Sequence, residues 1–158
     1  MNKVLLLAIG GACLAAAQSA PDGKLTVGGK AVKLTNVYAY AAEGFFDKKK
    51  DDTVVLLTDR AVTEAQVRDG FALRRMAEQG KLAYVQATIN AAGQIVNFAI
   101  GHEAFKAPPS GGSTEHVFEG KSDGRSVAGK VRTKGEQQFF GVKYEYEAKF
   151  TAAVQAKK

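Results

Sequence analysis

Most of this chain alternates apolar and polar residues with a period of two, the mark of strands that bury one face. The pattern is clearest near the end, where Tyr144, Tyr146, Ala148, Phe150, Ala152 and Val154 alternate with Lys143, Glu145, Glu147, Lys149 and Thr151. Earlier, Leu25 and Val27 face Val32 and Leu34 across Gly28-Gly29, which predicts an opening hairpin whose second arm runs on through Val37, Tyr38 and Tyr40. The run 53–58 is almost continuously apolar and β-branched, which predicts a central strand covered on both faces. Runs 82–89 and 95–100, separated by Asn90-Ala91-Ala92-Gly93, pair as antiparallel neighbours, and further strands follow at 115–119 and 126–132.

One stretch breaks the period. Thr63 with Gln66 three residues on makes a capping box, Gly80 stands at a C-terminal stop, and Asp69-Gly70 interrupts the helix between them. Val67, Phe71 and Met76 are expected to face the core. The fold class that follows is mainly β: an antiparallel sandwich or a compact, partly open barrel, with one short, broken helix around 63–79.

The start of the chain has a different pattern. Lys3, the apolar run 4–17 and the small residues Ala15 and Ala17 read as a cleavable signal peptide over residues 1–19. The run is too short to span a bilayer as a helix, so no transmembrane segment is expected. Cleavage is expected after Ala17, with Ser19 the second choice. A lipid anchor at Cys13 is disfavoured because Gly10, Gly11 and Ala12 precede it without the leucine usual in that motif. Cys13 is the only cysteine, so processing leaves a single domain over 20–158 with no disulfide, held by packing alone. The style of the leader points to a Gram-negative bacterium and a periplasmic or extracellular location.

Charge narrows the partners. There are 22 Lys and Arg against 16 Asp and Glu, and loss of Lys3 lowers the formal charge from +6 to +5. The basic residues are dispersed among acids, which argues against nucleic acid and leaves a protein or a cell-envelope component as partner. The segment 103–114, with Pro108, Pro109, Ser110, Gly111, Gly112 and Ser113, is expected to be a mobile recognition loop, and the tail 155–158 to fray.

The candidate chemistry centres on the only two histidines, His102 and His116, at the ends of that loop. A hairpin centred near residue 109 would make them cross-strand partners, able to share a zinc ion with Glu103 or Glu115. The plainer reading is two strand-end histidines, each satisfied locally. Asp59 and Arg60 follow the central strand and read as a functional strand end or as a turn with a local ion pair. Phe139-Phe140, like Phe45-Phe46, either plugs an open end of the fold or forms an interaction surface. No nucleophile elbow or phosphate loop is present in the sequence.

The leading expectation is therefore an exported, non-enzymatic binding module without a cofactor. The alternatives are a metal-dependent or hydrolytic enzyme on His102 and His116, and an inhibitor or immunity-type protein that blocks an exported enzyme. N-terminal sequencing of the exported protein should begin at Gln18; a start at Met1 would remove the signal-peptide reading.

Overall fold

The computed structural model describes residues 19–158, so Cys13 and all of the leader except Ser19 lie outside the described residues. The elements are β1 (Ser19–Val27), β2 (Lys30–Leu34), β3 (Asn36–Glu43), β4 (Asp51–Thr58), α1 (Glu64–Val67), α2 (Gly70–Glu78), β5 (Tyr84–Ile89), β6 (Ile95–Gly101), β7 (Ser110–Gly111), β8 (His116–Ser122), β9 (Ser126–Thr133), β10 (Gln137–Phe139) and β11 (Val142–Gln155). The fold is mainly β, as the alternation predicts, and the sheet does not close into a barrel.

The long strand β11 organises it. One edge pairs with β10 and then β9, and the other with β1, from Val27 opposite Tyr144 to Ser19 opposite Thr151. At its end β11 turns onto β3, pairing Val154 with Ala39 and Gln155 with Tyr40 in the one parallel ladder among the described residues. Two layers result, β2-β1-β11-β9-β8 and β11-β3-β4-β5-β6-β7. Their inner faces enclose the main core, which includes Leu25, Val55, Val85, Ile100, Val131, Tyr146 and Phe150. Because β2 belongs to one layer and β3 to the other, the expected continuous second arm is divided at Thr35, whose N–H bonds Thr58 O at 2.8 Å.

Strand β4 is buried on both faces, as its composition implies. Val55 and Leu57 enter the main core, while Leu56 meets Val67, Leu73, Ala77 and Tyr84 under the helices. The capping box at Thr63 and Gln66 forms, and Asp69 caps α2 through Phe71 N and Ala72 N. That second cap resets the helical phase. Phe71 would follow Val67 by one turn in an unbroken helix, but in α2 the buried face belongs to Leu73 and Ala77. Phe71 is consequently 76 % exposed, lying under the Arg75 guanidinium rather than in the core.

Both segments expected to be loose are tied down. In 103–114, Phe105 is buried in the core and β7 pairs with Phe98 and Ala99 of β6. The tail is held by Arg68, which donates to Ala156 O at 2.8 Å, by Lys157 on Asp51 and by Lys158 on Glu64.

The helix layer packs tightly on the sheet at Gly101, where an added Cβ would fall on the Tyr84 ring and within 2.8 Å of Ala77 Cβ. Gly70, at the start of α2, has open space around it and no left-handed backbone. Gly101→Ala should lose roughly 1–3 kcal/mol by overpacking, and Gly70→Ala should gain about 0.5–1 kcal/mol of stability. Urea unfolding of the two variants checks both signs.

Candidate functional site

Two inward-facing tyrosines of β11 set the site. Period-two alternation carries the side chains of Tyr144 and Tyr146 into the core, where each buried hydroxyl needs a partner. His116, the first residue of β8, supplies it: its Nδ1 lies 2.9 Å from Tyr146 Oη and its Nε2 3.3 Å from Tyr144 Oη. The imidazole is 3 % exposed and stacks on Phe98 at 3.6 Å between ring centroids. Phe105 closes the cluster with its edge toward Tyr144.

Burial governs the proton chemistry here. It pushes the His116 imidazole down to about 4, and it raises both tyrosine hydroxyls. A neutral imidazole has one donor and one acceptor nitrogen, so one tyrosine donates to the ring and the other accepts from it. A cation would have to displace those hydroxyls to reach His116.

The histidines are not cross-strand partners. Strand β7 pairs Gly111 with Phe98 and Ser110 with Ala99, while β8 leaves that hairpin and pairs with β9, His116 standing opposite Thr133. His102 packs beside Phe105, and its Nδ1 accepts from Ala104 N at 3.1 Å. Burial lowers its pKa, against the opposing fields of Glu103 and Asp59. Asp59 itself accepts from Ala83 N at 2.7 Å and sits 3.6 Å from Arg60, so the pair anchors the chain after β4. Glu115 is exposed beside Ser113, whose Oγ accepts from its N–H. Among the described residues, no group of three or more His, Cys, Asp and Glu side chains converges.

The aromatic pairs divide. Phe139 is half-buried against Phe105 and acts as a plug, whereas Phe140 is 90 % exposed with φ of 46°. Phe140 and Gly141 form the two-residue turn between β10 and β11, and both have positive φ. That geometry suits Asn-Gly far better than Phe-Gly. Phe45 and Phe46 are also exposed, at 60 % and 78 %.

Phe46 stands at the lip of a cleft that has no signature in the sequence pattern. The cleft, about 570 Å³, opens at the seam where β6 and β7 face β8 without a ladder between them. Ile95 and Val96 form one wall and Phe118 the other, with His116 at the floor and Gly112, Ser113, Thr114 and Val117 at the rim. Its size and apolar walls are those of small-ligand sites. A groove of about 550 Å³ on the outer face of β9 and β11 is different in kind. There Arg132 and Lys130 are paired with Glu119 and Glu147, and Lys24 and Glu145 add one charge of each sign.

The His116 cluster makes stability depend on pH. Between about 6.5 and 4 the unfolded chain binds a proton that the folded imidazole refuses, so stability falls as pH drops through this window. The full loss is on the order of 3 kcal/mol. His116→Phe strands the tyrosine hydroxyls and should cost about 1–3 kcal/mol at pH 7.5. Its deficit against the parent should shrink by pH 4.5; urea titrations giving a pH-independent difference would contradict this assignment.

Comparison of the chain with protein-family models, with curated proteins and with solved structures gives no match.

Proposed function

We propose that this protein is an exported, non-enzymatic binding module whose ligand site is the cleft at the β6–β8 seam. The observation that carries the reading is the conjunction of apolar walls with an unpaired seam. A seam left open between two otherwise paired layers lines the cleft with the apolar side chains of Ile95, Val96 and Phe118. The neighbouring titratable groups, His116, Tyr144 and Tyr146, are held neutral by burial and hydrogen-bonded to one another, an arrangement suited to a rigid floor rather than to proton transfer. No helix among the described residues is long and apolar enough to cross a membrane.

An apolar fluorescent probe such as anilinonaphthalene sulfonate should bind the mature domain saturably and raise its Tm, as any native-state ligand must. Phe118→Ala should weaken that binding about five- to thirtyfold, the worth of roughly 1–2 kcal/mol of aromatic burial. A probe response unchanged in Phe118→Ala would remove the cleft from consideration. Thermal scans against zinc, other divalent ions, polyanions, glycans and lipids test the rival ligand classes in the same format.

Phe140 favours a second reading, that of an inhibitor or immunity-type protein. A bulky ring held in left-handed backbone and almost fully exposed serves neither the turn nor the core. Phe140→Asn should raise stability by about 1 kcal/mol by relieving that backbone cost. On this second reading the same substitution abolishes cross-linking to a protein partner in native extract; on the leading reading cross-linking is unaffected.

A further inference from the structure

Resting on the reading of the seam as a binding site, we infer that its ligand is an extended peptide segment. The peptide adds as a strand to the free edge of β8, turns apolar side chains into the cleft and sets an acidic residue beside Lys121.

The backbone of β8 provides the first ground. Lys134 N–H bonds Glu115 O at 2.8 Å, and Asp123 N–H bonds Ser126 O at 3.2 Å. With the intervening register of Val117 opposite Arg132, Glu119 opposite Lys130 and Lys121 opposite Ala128, these bonds show that the odd-numbered residues face β9. In an antiparallel ladder the alternate residues direct their N–H and C=O groups the other way. On β8 these are His116, Phe118, Gly120 and Ser122, and among the described residues β8 pairs with no strand but β9. Unpaired strand edges are templates for a further strand, and proteins that keep one open commonly use it for peptide capture.

The space beside that edge is the second ground. The cleft over His116, Val117 and Phe118 adjoins a groove of about 550 Å³ that continues along Gly120, Lys121 and Ser122 to the β5–β6 turn. The two share Phe118 and Gly93, so one channel follows the whole edge. At about 3.3 Å per residue the strand accommodates a peptide of roughly six or seven residues. A hydrogen bond of 2.9 Å between Ser122 Oγ and Thr53 Oγ1 marks its far end.

Side chains then specify the occupant. On the inner side of the new strand, apolar residues would meet Phe118, Ile95 and Val96. On the outer side, β8 presents Val117, Glu119 and Lys121. Glu119 is engaged by Arg132 and Lys130, while Lys121 has no ion-pair partner among the described residues. An acidic residue opposite Lys121 is the complementary choice. Gly120 leaves the edge without a side chain there, and it is required for another reason: an added Cβ would strike the backbone of Ala128 and the Phe118 ring.

The test uses the whole mature protein and an N-acetyl heptapeptide of alternating valine and threonine carrying one aspartate. Two analogues carry N-methyl groups on one or the other set of alternate amides. Calorimetry should show binding by the parent peptide, loss of at least tenfold with one methylated set, and retention with the other. Binding should slow hydrogen exchange at Phe118 and Gly120, and Lys121→Glu should weaken it about three- to fivefold, the range of an exposed ion pair. Equal binding by both methylated peptides overturns the strand-addition inference. So does absence of peptide binding at millimolar concentration; if the apolar probe still binds, the cleft reading stands, and if it too fails, both fall. A sedimenting dimer with these amides already protected assigns the edge to a second copy and likewise overturns it.

Discussion

The pairing of β11 on both edges is the constraint on which the rest of the fold depends. Its 14 residues carry five fully inward side chains from Tyr144 to Ala152, and the alternating charged positions remain outside. Because its first part joins β1 and β9 and its last residues join β3, this one strand belongs to both layers. Among the described residues no other strand is paired into both layers, so without it no strand ladder would join them. The short ladder onto β3 is reinforced by the tail contacts of Arg68, Lys157 and Lys158, so the layers are fastened where the strand ends.

The same arrangement explains why the opposite side stays open. β11 closes one border of the two-layer structure, and no strand among the described residues does the equivalent job between β6 and β8. The His116 cluster bridges that border with side chains instead: Phe98 on β6 stacks on an imidazole from β8, which is in turn bonded to two tyrosines of β11. A stacked and hydrogen-bonded bridge fixes the spacing of the seam at one end while leaving β8 backbone groups unpaired along the rest. Rigidity at the floor and openness along the edge are the properties a preorganised binding cleft requires.

Much of this was legible from the residues. Period-two alternation locates β11 with its buried face and the hairpin at Gly28-Gly29, a nearly continuous apolar run locates the doubly covered β4, and the capping box with Asp69-Gly70 locates the split helix. What escaped depended on long-range pairing. The break at Asp69 was readable, but its consequence, the exchange of Phe71 for Leu73 and Ala77 on the buried face, follows only once the second cap resets the phase. The hairpin that would join the two histidines is pre-empted by β7, so His116 stands on β8 opposite Thr133 of β9. The tyrosine partners of His116 do carry a signal in the sequence: Tyr144 and Tyr146 share the inward parity of an apolar face, and buried hydroxyls demand partners. The parallel contact with β3 and the open seam have no local signature at all, because both depend on strand order.

Native-state hydrogen exchange tests the central claim most directly, since it reads pairing one amide at a time. The account predicts that the β11 amides of Tyr146, Ala148 and Phe150 exchange only through global unfolding, while those of Phe118, Gly120 and Ser122 on β8 exchange fast and those of Val117, Glu119 and Lys121 slowly. Protection of the even-numbered β8 amides at the level of β11 in the monomeric, ligand-free protein would contradict it, because it would mean that the seam is closed.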